Sequence, residues 1–495
     1  MRIRAGVWAL LGLLLAPPAG AQDVPASLTL AEALEIARTN NPTYLQSRND
    51  QVQADWDVRQ AYGQLLPSVS ARSSVSWQGS GEQQFGAITL GDLGFGDLPS
   101  YYSSSYGVTV GLNLSLATIL GPSQAKAQRT ATGARIRLAE ANLISQVTNA
   151  YLDVLLQMEG LRLARQQLEN SQFNLRLAQG QLEVGAATPI DVGQAEVQVG
   201  RSEVAVLQAT NAVATARMRL LQQLGVSVTQ ETTLSTSFAL SEPSWDLETL
   251  MDLALEGNPS LDATRRSKRA ADIGVTQAKS SYYPSLNIST GWSGFTREAS
   301  STEFQILQAQ AQVASQVANC NATNDLYSRL ANPLPLRDCT QFAFTDAQRQ
   351  AIVSQNDQFP FDFQKSPPSV SLGLSIPIFQ GLSRQRNLEA AKLQREDLQH
   401  QLREQEIALR ADLAVALANV ETAYQSALLE ERNRALAEQQ LRLARERYQL
   451  GAITFVELVA AQTVLAQADR DGTAAVFAYH DAVTGLESLV GTSLR

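Results

Sequence analysis

Ser27 to Pro42 read SLTLAEALEIARTNNP, and Ser244 to Pro259 read SWDLETLMDLALEGNP. The two stretches align without gaps: Leu30 with Leu247, Ala37 with Ala254, and Asn41-Pro42 with Asn258-Pro259. The register holds further on, because Pro67-Ser68 and Pro284-Ser285 each follow the Asn-Pro proline by 25 positions. A second match closes each copy. Leu175-Arg176-Leu177-Ala178 returns as Leu441-Arg442-Leu443-Ala444, and Gly185-Ala186-Ala187-Thr188-Pro189-Ile190-Asp191 returns as Gly451-Ala452-Ile453-Thr454-Phe455-Val456-Glu457. Gly225 and Gly491 end the copies at the same offset. Ordered self-similarity of this kind predicts an internal duplication, with residues 22–235 and 240–495 as the two repeats.

Each repeat has one predicted order: a short helix, an Asn-Pro break, a helix, a Pro-Ser start to a strand, a loop, a second strand and a very long helical hairpin. Tyr106, Val108, Val110, Leu112, Leu114 and Leu116 alternate with Gly107, Thr109, Gly111, Asn113 and Ser115. That period of two predicts a strand with one apolar and one polar face. Val370 to Ile378 alternates in the same way, and shorter partners are predicted at Val69–Trp77 and Leu286–Trp292. The helical pattern has a different step. Leu143, Val147, Ala150, Val154, Met158 and Leu161 are spaced by three or four, as are Leu409, Leu413, Leu417, Val420, Tyr424 and Leu428. Some 60 residues of helix span roughly 90 Å, so these read as long struts packed as coiled coils.

Residues 1–21 read as a secretory signal: Arg2 and Arg4, an apolar stretch from Ala5 to Leu15, and the small residues Ala19-Gly20-Ala21. No cysteine stands at the junction, so a lipid anchor is not expected. Removing the leader leaves 37 basic and 48 acidic residues, a formal charge of −11, which argues against nucleic acid as a partner. No other segment has the length and apolarity of a spanning helix. A chain like this enters a bilayer only as strands of a closed barrel. Four strands with apolar and small polar faces suit an outer-membrane barrel, but four cannot close one, so several chains must share it. The alternative is a periplasmic or surface coiled-coil protein that binds a partner without forming a pore.

No catalytic, cofactor or metal site is expected. His400 and His480 are the only histidines, and both fall in helical stretches. Gly94-Phe95-Gly96 lacks the strand and helix that a phosphate-binding loop needs, and Gly291-Trp292-Ser293-Gly294 lacks the spacing of a nucleophile elbow.

The sequence resembles the TolC-like outer-membrane efflux proteins. The resemblance rests on the Asn-Pro pairs ending in Pro42 and Pro259, the Pro-Ser strand starts at Pro67 and Pro284, and Ile376-Pro377-Ile378-Phe379-Gln380-Gly381 before a long helix. The paired turns from Val184-Gly185 to Asp191 and from Leu450-Gly451 to Glu457 complete it. It implies an α+β membrane protein: an internally duplicated chain whose long coiled-coil helices form a periplasmic tunnel and whose four strands join a trimeric, twelve-stranded outer-membrane barrel. The location it implies is the outer membrane of a Gram-negative bacterium, extending into the periplasm. The partners it implies are two further copies, a periplasmic adaptor (membrane fusion) protein, an inner-membrane pump or exporter, and outer-membrane lipid.

By motif match the adaptor would dock at Gly185, Ala186, Ala187, Thr188 and Pro189, and at Gly451, Ala452, Ile453 and Thr454. Asp191, Tyr448 and Glu457 would form the periplasmic gate, where a carboxylate ring favours cations. Asp191 and Glu457 also suit plain capping of the helices they begin. This chain departs from the family pattern at Ala460 and Ile453, where some members carry an acidic and a basic residue, and in lacking a Pro-Ile-Phe exit after Leu116. An insert at 300–366 separates the second pair of strands and is read as an external loop. Within it Cys320 and Cys339 could close a loop of about 20 residues, worth roughly 3 kcal/mol if bridged.

Overall fold

The structure is a computed structural model and describes residues 27–494 except 83, 90, 93–96, 186, 228–232 and 237–238. The expected leader and the Gly94-Phe95-Gly96 segment lie outside the described residues. In chain order the elements are β1 (Ser27–Leu28), α1 (Leu30–Asn40), α2 (Pro42–Gly63), β2 (Ser68–Gln78), β3 (Gln84–Phe85), β4 (Ile88–Thr89) and β5 (Tyr101–Ser115). Then come α3 (Leu116–Glu183), α4 (Pro189–Leu224), β6 (Thr233–Leu234), α5 (Leu247–Gly257), α6 (Pro259–Ser280) and β7 (Ser285–Ala299). The chain ends with α7 (Glu303–Ser328), a 3₁₀ turn (Cys339–Gln341), α8 (Asp346–Asn356), β8 (Gln364–Lys365), β9 (Ser369–Ser375), α9 (Ser383–Gln449) and α10 (Phe455–Val490). Helix lengths recur: 11 residues in α1 and α5, 22 in α2 and α6, 68 and 67 in α3 and α9, and 36 in α4 and α10. Among the described residues no helix is long and apolar enough to cross a membrane.

The chain divides into two compact units. The described residues of the first, Ser27–Arg59, Ser123–Ala278 and Gln385 onward, are helical apart from the short β1–β6 pair. Ala33 and Ala37 of α1 pack against Leu143, Val147 and Tyr151 of α3 and Ala216, Leu220 and Leu224 of α4. The same construction repeats with Leu250 and Ala254 of α5, Leu409, Leu413 and Val420 of α9, and Val483, Leu486 and Val490 of α10. Steps of three and four place each set on one helix face, and burying each Leu or Val fully contributes about 1.5–3 kcal/mol. A third cluster joins all four long helices near their turns: Ala178, Ala195, Leu441, Tyr448, Phe455, Leu458 and Ala461.

The duplicated Asn-Pro pairs have a defined task. Asn41 ends α1 with ψ 117°, the extended conformation that a following proline requires. Its Nδ2 donates to the Gln223 carbonyl at 2.7 Å and its Oδ1 accepts from the Tyr44 amide at 3.0 Å. Asn258, also at ψ 117°, donates to the Leu489 carbonyl at 2.8 Å and accepts from Leu261 at 2.9 Å. Each Asn thus satisfies a carbonyl left over at the end of a long helix. Gly225 and Gly491 sit beside these bonds at φ +73° and +82°. A Cβ on Gly225 would lie 2.3 Å from the Asn40 carbonyl oxygen, and one on Gly491 2.2 Å from that of Gly257.

The second unit, Gln60–Pro122 with Lys279–Arg384, holds the main sheet. Its order is β2-β5-β7-β9, antiparallel throughout, with β8 also on β7. The strands differ in extent from expectation. β5 starts at Tyr101 and β7 runs to Ala299, beyond the alternating segments, while β9 stops at Ser375 because Pro377 has no amide to donate. Between β8 and β9 the register on β7 slips by one residue across Pro367-Pro368, a bulge where both amide donors are missing. The insert is more than a loop: α7 and α8 lie in it, and Cys320 and Cys339 are disulfide-bonded at a Cα separation of 5.8 Å.

The Ile376-to-Gly381 segment turns from strand to helix around one buried guanidinium. Arg384 donates to the carbonyls of Pro377 at 3.0 Å and Ile378 at 2.8 Å and stacks over Tyr282. Gly381 and Leu382 make the reversal in the left-handed region, at φ +58° and +62°.

Candidate functional site

Two surfaces carry the functional expectations, the faces of the sheet and the helix-hairpin turns. In an antiparallel ladder, directly opposed residues share a face. One face therefore stacks Val69, Val110, Thr290 and Val370, then Ala71, Val108 and Trp292. Lower rows add Leu112, Ile288 and Leu372, then Leu114, Leu286 and Leu374. The side chains on the edge strands are open, with Val69 69% exposed, Val370 77% and Leu372 71%, while Val108, Val110 and Ile288 on the central strands are half-buried. The other face is serine-rich. Its hydroxyls pair across strands, Ser74 with Ser105 at 2.8 Å, Ser76 with Ser103 at 2.7 Å and Ser289 with Ser371 at 2.6 Å. β2 and β9 are the edges of this sheet, each paired on one side.

At the first turn, Gly185 takes φ +76° and its amide bonds the Leu182 carbonyl. Thr188 then caps α4. Its amide and hydroxyl both donate to Asp191 Oδ2 at 2.8 Å, and the Asp191 amide donates back to Thr188 Oγ1 at 3.3 Å. Pro189 follows in the first helical turn, where its missing amide costs nothing. The second turn uses the same chemistry. Gly451, at φ +73°, and Ala452 bond the carbonyls of Tyr448 and Arg447, a Schellman closure. Thr454 caps α10 with Glu457 at 2.7 Å. These bonds hold the Glu457 carboxyl below the usual range. Asp191 and Glu457 are thus both engaged in capping boxes. Gly185, Thr188, Pro189, Gly451, Ala452 and Thr454 are exposed, Ala187 and Ile453 half-buried, and Ala186 lies outside the described residues.

Tyr448 is placed differently. It is buried, its hydroxyl donates to Gln181 Oε1 at 2.6 Å, and its ring lies 6.0 Å from that of Phe455. Burial, with the Asp191 charge second, pushes its phenol up. Behind it, Asn174 and Gln462 form a buried amide pair, and Ser171 meets Ser202 at 2.9 Å. Sequence reasoning missed this polar layer. The signal was a polar residue on an apolar stripe, Gln462 between Leu458 and Leu465.

The sequence profile of the outer membrane efflux proteins matches residues 33–226 and 344–492. The chain belongs to that family. Its place, as an outer membrane efflux family protein, is the outer membrane of a Gram-negative bacterium. The toluene efflux pump outer membrane protein TtgC and the antibiotic efflux pump outer membrane protein ArpC, both from Pseudomonas putida, are each 23% identical over 282 residues. That match covers 55% of this chain, which spans about half the length (53%) of the relatives it matches. The likeness in fold covers more. The CmeC outer membrane channel of Campylobacter jejuni superposes with TM-score 0.69 over 93% of this chain and 85% of its own, at 14% identity. The open-state MtrE outer membrane channel of Neisseria gonorrhoeae gives 0.65 over 94% and 89%, at 16%. The fold is that of the TolC-like outer membrane channels.

Proposed function

We propose that the chain is the exit duct of a tripartite efflux or type I secretion system, a passive outer-membrane conduit working as a homotrimer. One observation carries the reading: a four-stranded sheet, greasy on one face and serine-lined on the other, ends in two unsatisfied edges. An edge row of free amides and carbonyls is untenable in lipid, so β2 of one copy must pair with β9 of the next until the wall closes. The serine face then meets water and the valine and leucine face meets acyl chains. The names of the relatives, which attach them to efflux pumps, favour efflux over secretion.

In this reading residues 22–235 and 240–495 are duplicated halves behind a leader at 1–21. The turns at Gly185–Pro189 and Gly451–Thr454 dock a periplasmic adaptor that links to an inner-membrane pump. Asp191 and Glu457 line the gate at the narrow mouth, while Tyr448 supports it from behind through Gln181. Capping and gating are compatible, because a carboxylate accepting from Thr454 still presents its charge to the mouth. The test is single-channel conductance of detergent-extracted oligomer in a planar bilayer, after mass measurement. Discrete cation-selective steps from a trimer, with weaker selectivity in Glu457→Ala, support the duct. A detergent-independent monomer without conductance sinks it.

A further inference from the structure

Segment Phe359–Ser366 leaves the sheet edge and crosses its apolar face. At one end it is a strand: Gln364 and Lys365 pair with Phe295 and Gly294, and the Ser366 amide donates to the Ser293 carbonyl at 2.8 Å. It then passes over β7 to reach β5. The Phe363 ring stands edge-on to Tyr106 at 4.9 Å, the Pro360 carbonyl accepts from Ser104 Oγ at 2.5 Å, and the Phe359 ring lies 5.7 Å from Tyr102. Gly294 makes the crossing feasible, since a Cβ there would lie 2.5 Å from the Tyr106 ring and 3.1 Å from Phe363. Beneath this strap Ser104 is 5% and Thr296 2% exposed.

Register fixes which side the strap is on. Tyr102, Ser104 and Tyr106 share the face of Val108 and Val110, and Thr296 that of Trp292. The strap therefore lies on the valine and leucine side, opposite the serine ladder. Its height follows from strand geometry. An apolar band about 25 Å tall needs roughly 33 Å of strand at a 40° tilt, about ten residues. Ten residues up from Leu114 on β5 is Ser104, whose row holds the buried hydroxyls of Ser104 and Thr296 and, on β2 at the edge, the exposed Val75, with Trp77 and Tyr102 one row further up. Phe359 and Phe363 turn in to the wall, whereas Phe361 between them is 81% exposed.

We propose that this strap is an interfacial anchor on the outside of the barrel, with Phe361 set into the boundary between acyl chains and headgroups of the outer leaflet. The proposal rests on the barrel reading above and adds that the end of the insert grips the lipid side of the wall. It covers wall hydroxyls that would otherwise meet the upper edge of the hydrocarbon, and it supplies an aromatic of the kind that forms interfacial girdles.

Nitroxide labels on Phe361→Cys, Val370→Cys and Ser371→Cys test this in full-length oligomer in phospholipid vesicles, with the native disulfide left oxidised. Power saturation compares access of oxygen with that of a water-soluble nickel chelate. The expected depth parameter at 361 is shifted from the Ser371 value toward the Val370 value and lies between the two. A value at 361 equal to that at 371 overturns the strap alone. Nickel preference at Val370 itself overturns the barrel reading and the strap with it.

Discussion

Asn174 of α3 and Gln462 of α10 exchange their side-chain amides across the two hairpins, at 2.6 Å in one direction and 3.2 Å in the other, with both residues buried. Removing one partner strands the other in a dry interface, which costs about 1–3 kcal/mol. Gln462→Leu is expected to lower the thermal midpoint of helix unfolding, and Asn174→Leu combined with Gln462→Leu to recover part of the loss. A double variant that loses the sum of both singles would show that the two amides act independently.

Glycine substitutions separate two situations. Gly225→Ala combines a left-handed backbone with overlap on the Asn40 carbonyl, so strain alone costs about 1–3 kcal/mol. Gly160 lies inside α3 with nothing within 4 Å of where an added methyl would sit, and Gly160→Ala is expected to stabilise by up to about 1 kcal/mol. Opposite shifts in thermal midpoint are the expected pair, and two shifts of one sign would contradict the assignment.

The cap of α10 responds to acid in a definite direction. Hydrogen bonds from the Thr454 amide and hydroxyl depress the folded pKa of Glu457. A depressed carboxylate contributes stability that is complete above the unfolded value and is lost as pH falls through the folded one. Amide protection in Phe455–Leu458 is therefore expected to fall only on the acid side of the usual glutamate range. Hydrogen exchange across that range checks this, and Glu457→Gln is expected to flatten the dependence.

Arg384 fixes the strand-to-helix reversal through two carbonyls. Arg384→Met keeps the bulk, loses both charged hydrogen bonds and is expected to destabilise by about 1.5–3 kcal/mol or more. Leu382→Gly relieves a left-handed leucine and is expected to offset about 1 kcal/mol of that when combined with it. Calorimetry on the two single variants and the double reads both.

Much of this architecture was legible because solvent writes it into the sequence. Val108 and Thr109 alternate since they lie on the apolar and the polar face of β5, and Leu143, Val147 and Tyr151 repeat because one side of α3 is covered. Tyr101 to Ser105 hid the top of β5, since Tyr-Tyr-Ser-Ser-Ser carries no alternation and Ser104 is buried by the strap, a contact 256 residues away in sequence. The helices of the insert escaped for a related reason. No residue of α8 is buried, and of α7 only Cys320. The acids of the turns were legible as caps and gates alike; the bonds to Thr188 and Thr454 show the capping.

The two open edges of the sheet carry a genetic consequence. If the wall closes between copies as proposed, no chain has a private defect, because every β2 is then accepted by another copy's β9. A variant with proline in the middle of β9 removes an amide from the seam and breaks the ring it enters, not merely itself. Such an allele is expected to be dominant, poisoning wild-type subunits expressed beside it, whereas a deletion of the same gene would be recessive.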